Sequence, residues 1–399
     1  MTSTFRSTST QADVIAAVTT FLEKNPPPSM SETEFLGRRY DAGLAWVQFP
    51  VGSGGLGAPS ALQGVVEGAL LAGGAAPVDS MRNPVGLGMG APTVLHHASV
   101  ELRDRILRPL WTAEEIWCQL FSEPGAGSDL ANVATKAVRD GDDWIVNGQK
   151  VWTSLAHRSR WAMLLARTDP TVPKHTGMTY FILDMTTPGV EVVPLRQATG
   201  EADFNEVFLT DVRIPDAMRI SEVGDGWAVA RTTLMNERTA IGGKQAPREE
   251  GHVGRLADLW RTRPDVRTPG AYAELMRLWV DAEVARLTNE RTRQIAAMNQ
   301  PGLEGSGAKV TSARNNQQVT KFLARLSPND ALTYDEWSMD KAPEHTRDRP
   351  ETYHYLRARP NSIEGGTTEI LLGQIADRVL DLPREPKIDP TLAWQDIPR

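Results

Sequence analysis

The period of apolar and polar residues changes twice along this chain of 399 residues. At the N-terminal end it is helical. Val14, Val18, Phe21 and Leu22 recur at helical spacing between Gln11 and Lys24, as do Leu62, Val65, Val66, Ala69 and Leu70 between Ser60 and Leu71. Ser31-Glu32-Thr33-Glu34 has the form of a capping box that opens a helix through Phe35 to Tyr40, and Ser99 to Leu110 reads as another. The first ten residues read as a disordered Ser/Thr tail. From Trp117 to about Pro215 the period falls to two, with turn residues between short runs. The predicted strands are Ile116–Phe121, Thr135–Arg139, Trp144–Val146, Lys150–Trp152, Trp161–Arg167, Met178–Leu183, Val190–Pro194 and Glu206–Leu209. Asn147-Gly148 is the strongest hairpin signal in the chain, because a type I′ turn needs positive φ at both central residues. After Pro215 the helical period returns. Gly226 to Ile241 places Val229, Thr233 and Asn236/Glu237 on one stripe, and Met276, Val280, Val284 and Leu287 mark a long helix beyond a break at Arg261–Gly270. Gly305 to Leu326 and Thr368 to Val379 complete the set.

The expected fold class is therefore α+β, mostly α. It has an N-terminal helical domain (1–115), a middle antiparallel β-barrel or sandwich domain (116–219) and a C-terminal helical bundle (220–399).

Composition narrows the function classes. Apolar residues make up 40% and charged residues 23%, as in an ordinary globular protein, and the net charge of −7 argues against a general nucleic-acid surface. The longest apolar stretch, Ala69 to Val78, is interrupted by glycines and a proline and is too short to span a bilayer. The N-terminus lacks the apolar core of a signal peptide, so a cytoplasmic location is expected. Cys118 is the only cysteine, which excludes an intrachain disulfide, and it reads as a packed thiol. The seven histidines are scattered, so no metal site is expected. Gly52-Ser53-Gly54-Gly55-Leu56-Gly57 invites a dinucleotide reading, but no βαβ pattern follows it and that reading is rejected.

The chemistry concentrates between Trp117 and Ser154. Pro124-Gly125-Ala126-Gly127-Ser128-Asp129 is a turn whose glycines let the backbone approach a bound molecule. Trp144 to Trp152 follows, and it ends in Trp152, Thr153 and Ser154, an aromatic and two hydroxyls that could seat a flat, polar-edged cofactor. SEPGAGSD followed by NGQKVWTS resembles the flavin-binding core of the acyl-CoA dehydrogenase family, and the likeness extends over roughly residues 35–385. It implies N-terminal helices, a middle β-domain, a C-terminal four-helix bundle, FAD as cofactor and an acyl-CoA thioester as substrate. It also implies an electron-transfer flavoprotein or similar acceptor, and a homodimer or homotetramer.

The resemblance assigns roles to individual residues. Phe121, Ser122, Gly127 and Ser128 match the strand and turn that line the isoalloxazine and the thioester entrance, Ser128 also contacting substrate. Trp152, Thr153 and Ser154 match residues that pack on the flavin and hydrogen-bond its edge, and Thr367 and Glu369 match contacts to the FAD diphosphate. In this family one glutamate removes the α-proton, from either of two chain positions. The position before the Gly-Thr of the C-terminal loop Ile363-Glu364-Gly365-Gly366-Thr367 is Gly365, which cannot act as a base. The other position, directly before an arginine on the first helix after the β-domain, is Glu237, followed by Arg238. That arrangement is similar to the isovaleryl-CoA and long-chain members. Glu237 is the expected base, with Glu364 as rival. The Gly365 N–H is the expected oxyanion donor, together with a ribityl hydroxyl of the flavin, and Arg238 and Gly366 are expected at the substrate.

Two segments depart from the family pattern. No Arg-x-x-Phe-Gly segment follows Ile241, where the chain reads GGKQAPREEGHVGRL, and Leu371-Leu372 stands where Gln-Arg is usual. Both concern the cross-subunit half of the FAD site, which leaves room for a heteromeric complex with a related subunit. The remaining alternatives are a flavin monooxygenase or carrier-protein thioester dehydrogenase on the same scaffold, and a non-catalytic partner subunit.

Overall fold

The computed structural model describes residues 9–242, 247–297, 304–334, 337–339, 349–383, 386 and 388–398. The chain divides into two compact units. The first comprises the chain through Val193, Asn205–Thr233 and the segment from Thr391 onward; the second comprises Pro194–Phe204 and Leu234–Pro390.

In the first unit, α1 (Gln11–Lys24), α2 (Glu32–Asp41) and α3 (Gln63–Ala72) form where the apolar period placed them. Thr10 caps α1 reciprocally: its hydroxyl accepts the Asp13 N–H and the Asp13 carboxylate accepts the Thr10 N–H. Ser31 caps α2 through the Glu34 N–H, while the Glu34 carboxylate turns to Arg38, so only half of the expected box forms. Val14, Val18 and Phe21 of α1 pack on Phe35, Val66 and Leu70, one apolar face against another. A helical segment not anticipated from sequence, the π-wide turn Gly86–Gly90 leading into α4 (Ala91–His97), precedes α5 (Val100–Trp111). Its glycines and wide turn break the period that betrays ordinary helices.

One sheet runs through β1 (Trp117–Leu120), β2 (Lys136–Asp140), β3 (Asp143–Ser154), β4 (Trp161–Arg167), β5 (Met178–Asp184), β6 (Val190–Leu195), β7 (Phe204–Pro215) and β8 (Arg219–Ile220). Its order is β6-β7-β3-β2-β4-β5-β8, with β1 beside β4. The sheet is mixed: β1 and β2 both pair parallel with β4. Every residue of β4 is buried, as expected of a strand covered on both faces.

The hairpin expected at Asn147-Gly148 does not form. Residues 143–154 are one continuous strand, with Asn147 in register opposite Lys136, and the turn lies earlier, at Gly141 with φ 62°. Gly148 serves close approach instead of a turn, since a Cβ there would lie 2.7 Å from Cβ of Thr135. Asn147 spends its side chain on β7, donating to Asp211 Oδ1 and accepting the Asp211 N–H.

A segment near the C-terminus belongs to this unit. Trp394 donates its indole N–H to Asn132 Oδ1 at 2.8 Å, its backbone N–H to the Val172 carbonyl, and its ring face to Arg167, whose guanidinium carbon lies 4.6 Å from the centroid. Arg167 in turn donates to the carbonyls of Ala131 and Val133. Trp394→Ala deletes one cation–π contact and one hydrogen bond and is expected to cost about 2 kcal/mol, read as a shift of the urea midpoint without change of slope.

The second unit is helical. It holds α6 (Gly226–Gly242) from Leu234 onward, then α7 (Gly251–Thr262), α8 (Pro269–Ala297), α9 (Glu304–Leu326), α10 (Pro328–Ala331), α11 (Glu351–Arg357) and α12 (Thr368–Arg378). Its core joins Leu256 of α7, Leu275 and Leu278 of α8, and Val319, Phe322 and Leu323 of α9. The stripe that revealed α8 in the sequence lies on the opposite, open face: Met276, Val280, Val284 and Leu287 are 38–54% exposed. No helix among the described residues is long and apolar enough to cross a membrane.

Candidate functional site

The turn after β1 is closed by reciprocal backbone bonds, the Glu123 N–H to the Ala126 carbonyl and the Ala126 N–H to the Glu123 carbonyl. Phe121 is buried, edge-on to Tyr180 at 5.7 Å, Ser122 is half-buried, and Gly127 and Ser128 are exposed. A buried ion pair holds this turn to the sheet. Lys150 Nζ, fully inside, donates to Glu123 Oε1 (2.8 Å), the Phe121 carbonyl (3.0 Å) and the Leu165 carbonyl (2.8 Å). Glu123 also accepts the N–H groups of Ala134 and Thr135. Burial alone would push the Glu123 carboxyl up, but the Lys150 charge and these donors outweigh it and hold it below the usual carboxylate range. Burial drives Lys150 below its ordinary value, against the pull of Glu123. Neither residue was singled out from sequence. The available signal was the charged pair flanking the two motifs, Glu123 before Pro-Gly and Lys150 after Asn-Gly-Gln.

Where β3 ends, the backbone is strained. Trp152 has φ 61° and Leu155 has φ 61°, a left-handed conformation that L-residues with large side chains rarely adopt. Trp152 is 62% exposed, while Thr153 beside it is buried. Asn205 on β7 donates to the Thr153 carbonyl at 3.1 Å and fixes this segment from behind. The Thr153 hydroxyl is buried, with no hydrogen-bond partner among the described residues. Buried hydroxyls are almost always bonded, so this one, like the Thr135 hydroxyl, is open to a further partner. An exposed aromatic, an orphan hydroxyl, Ser154 and the glycine turn, beside which added Cβ atoms on Gly125 or Gly127 would meet open space, suit a flat molecule with polar edges. These residues fit the flavin end of FAD.

The first half of α6 is anchored within the same unit. Thr233 Oγ1 lies 3.0 Å from both Tyr180 Oη and Thr93 Oγ1, and Thr232 Oγ1 lies 2.8 Å from His97 Nε2. Glu237 follows one turn later on the helix and is half-buried. The side chain of Arg238 lies outside the described residues.

In the second unit, Gly365 and Gly366 have φ of 64° and 95°, a pair of left-handed residues that suits glycine. Lys309 Nζ donates to the Gly366 carbonyl at 2.6 Å. Glu364 accepts from Asn361 Nδ2 at 2.6 Å and from Arg357 at 3.4 Å, which commits its carboxylate locally. Thr367 caps α12 through the Ile370 N–H, and Glu369 stands exposed in the first turn. Leu371 is buried against Gly366, whereas Leu372 is half exposed. In one unit the structure thus ties Phe121 to Lys150 and Ser122 to Val151, on the strand that ends in Trp152, Thr153 and Ser154; in the other it ties Gly366, between Gly365 and Thr367, to Lys309.

Cys118 is fully buried and its thiol is pushed up to about 12 by that burial, in keeping with a packed residue. The described residues contain no cluster of His, Cys, Asp and Glu able to hold a metal.

The pattern described as "Acyl-CoA dehydrogenase, middle domain" matches residues 118–212, and "Acyl-CoA dehydrogenase, C-terminal domain" matches residues 224–380. The acyl-CoA dehydrogenase FadE34 of Mycobacterium tuberculosis is 43% identical over 299 residues, which is 74% of this chain but only 39% of that relative. The acyl-CoA dehydrogenase FadE29 of the same organism is 34% identical over 378 residues, covering 92% of this chain and 91% of the relative. Among solved structures, the ChsE4-ChsE5 complex from Mycobacterium tuberculosis has the same fold at 24% identity, with a TM-score of 0.69 over 94% of this chain and 97% of that one. With both family patterns falling on the segments that carry the strained β3 end and the Gly365-Gly366 loop, this chain belongs to the acyl-CoA dehydrogenase family.

Proposed function

We propose that the chain dehydrogenates an acyl-CoA thioester between Cα and Cβ, with FAD as cofactor and Glu237 as the base. Bound FAD would supply the hydride acceptor that no side chain can provide. The observation that carries the cofactor assignment is the orphan hydroxyl of Thr153, set between two left-handed residues beside an exposed Trp152. Phe121, Ser122, Gly127, Ser128, Trp152, Thr153 and Ser154 would hold the flavin end, and Thr367 and Glu369 the diphosphate.

The α-proton of a thioester is weakly acidic, so its removal needs a carboxylate held ready and a donor for the developing enolate oxygen. Glu237 would accept the proton. Support comes from the alternatives: Gly365 has no side chain, and the Glu364 carboxylate is already engaged by Arg357 and Asn361. The Gly365 N–H would donate to the enolate oxygen, and Arg238 and Gly366 would contact substrate. A backbone donor is unaffected by the absence of a side chain at 365.

The proposed redox partner is an electron-transfer flavoprotein or similar acceptor. The open stripe of Tyr272, Met276, Val280, Val284 and Leu287 on α8 favours an assembly, as a homo-oligomer or with a related subunit, since apolar rows of this length are rarely left to water.

The test is an anaerobic titration of the FAD-loaded chain with acyl-CoAs of graded length and branching. The expected result is bleaching of the flavin by at least one of them with formation of the 2-enoyl product. A chain that binds no FAD would support a non-catalytic partner subunit, and hydroxylated product on admitting oxygen would support a monooxygenase.

A further inference from the structure

We infer that Lys150 is a positioning residue for the cofactor site, setting the distance between the two backbone segments that would face the flavin. The inference rests on the FAD reading above. One segment is Phe121-Ser122, which lies just past the last residue of β1 paired with β4, Leu120. The other is Trp152-Thr153-Ser154 at the strained end of β3. Lys150 stands on β3 between them, two residues before Trp152, and its ammonium donates to the Phe121 carbonyl at 3.0 Å. The adjacent Val151 N–H donates to the Ser122 carbonyl at 2.9 Å. Its other two protons go to Glu123 and the Leu165 carbonyl, so all three donors are engaged and the ammonium cannot swing away.

Stability alone does not account for this choice. A fully buried lysine loses its hydration, and a buried ion pair replaced by apolar groups of similar volume is often neutral or stabilising. What an apolar side chain cannot do is hold a carbonyl that has run out of sheet partners. Lys150 adds a second hold, beside the Val151–Ser122 backbone bond, and makes the end of β1 a fixed wall. The Glu123 carboxylate favours the charged form of the ammonium there, against the burial that disfavours it.

The test compares FAD affinity with stability in the apoprotein of the full chain. Lys150→Met/Glu123→Gln removes both charges together. It is expected to fold cooperatively with a midpoint close to native, yet to bind FAD on the order of 10–100-fold more weakly, as when a supporting hydrogen bond is removed behind a ligand group. Flavin fluorescence on titration gives the affinity, and visible circular dichroism of the bound flavin gives its environment. Glu123→Gln alone leaves Lys150 on the Phe121 carbonyl, and is expected to lower the midpoint while keeping FAD affinity within a few-fold of native. The inference is overturned if the double variant fails to fold, or if it binds FAD with native affinity and the native dichroic spectrum. It is also overturned if affinity simply follows stability across both variants. Absence of FAD binding by the native apoprotein would remove the cofactor assignment itself, and this inference with it.

Discussion

Glu237→Gln is expected to slow anaerobic flavin bleaching by acyl-CoA by about 10²–10⁴-fold, the usual contribution of a positioned general base. The amide keeps the size and hydrogen-bonding reach of the carboxylate but cannot take a proton. FAD affinity and acyl-CoA binding should therefore change little, and the loss should fall on kcat with KM nearly preserved. Glu364→Gln should leave the rate within a few-fold of native, because its carboxylate is engaged by Arg357 at the end of α11 and by Asn361. An equal fall in kcat for both variants would mean that neither carboxylate acts alone.

The second large effect is structural. Glu123→Ala strands the Lys150 ammonium inside the β-domain and leaves the N–H groups of Ala134 and Thr135 without their acceptor. Breaking a buried pair on one side typically costs about 3–5 kcal/mol. Chemical denaturation near neutral pH should show that loss, in contrast to Glu34→Ala, which removes an exposed pair with Arg38 worth under about 1 kcal/mol. The pH dependence has a definite sign. The folded pKa of Glu123 lies below its ordinary value, so its contribution is present above the unfolded pKa and is lost as pH falls through the folded one. The gap between native and Glu123→Ala should be full near pH 7 and close as the medium is acidified below the carboxylate range.

Much of the fold was legible because single faces of its elements are covered. Val14, Val18 and Phe21 repeat at helical spacing because one side of α1 meets one core. The uninterrupted apolar run Trp161–Ala166 exists because β4 is buried on both faces. Legibility failed where a residue type serves two purposes. Asn147-Gly148 reads as a turn by preference, but here the glycine admits Thr135 and the asparagine bonds β7, so the strand continues. Gly86–Gly90 hides a helical segment for the converse reason, since glycines that permit a π-wide turn erase the apolar period.

At the candidate site, the glycine turn and the Trp152-Thr153-Ser154 end were recognisable by resemblance, whereas the groups that hold them were not. Glu123 and Lys150 look like any surface charges until folding places them side by side in the interior. The latch of Trp394 on Asn132 and Arg167 joins residues more than half the chain apart, beyond the reach of any local pattern. The stripe on α8 shows the same limit from the other side. Periodicity identified the helix but not whether its apolar row faces the core, and it faces out.

The claim on which the mechanism depends is that the carboxylate on α6 removes the α-proton. It is tested most directly by solvent exchange at Cα, measured by mass spectrometry in deuterium oxide with the flavin already reduced, so that no hydride can leave and proton removal alone is read. The native chain and Glu364→Gln should incorporate deuterium at comparable rates, and Glu237→Gln should incorporate essentially none. Exchange that persists in Glu237→Gln and disappears in Glu364→Gln would contradict the account.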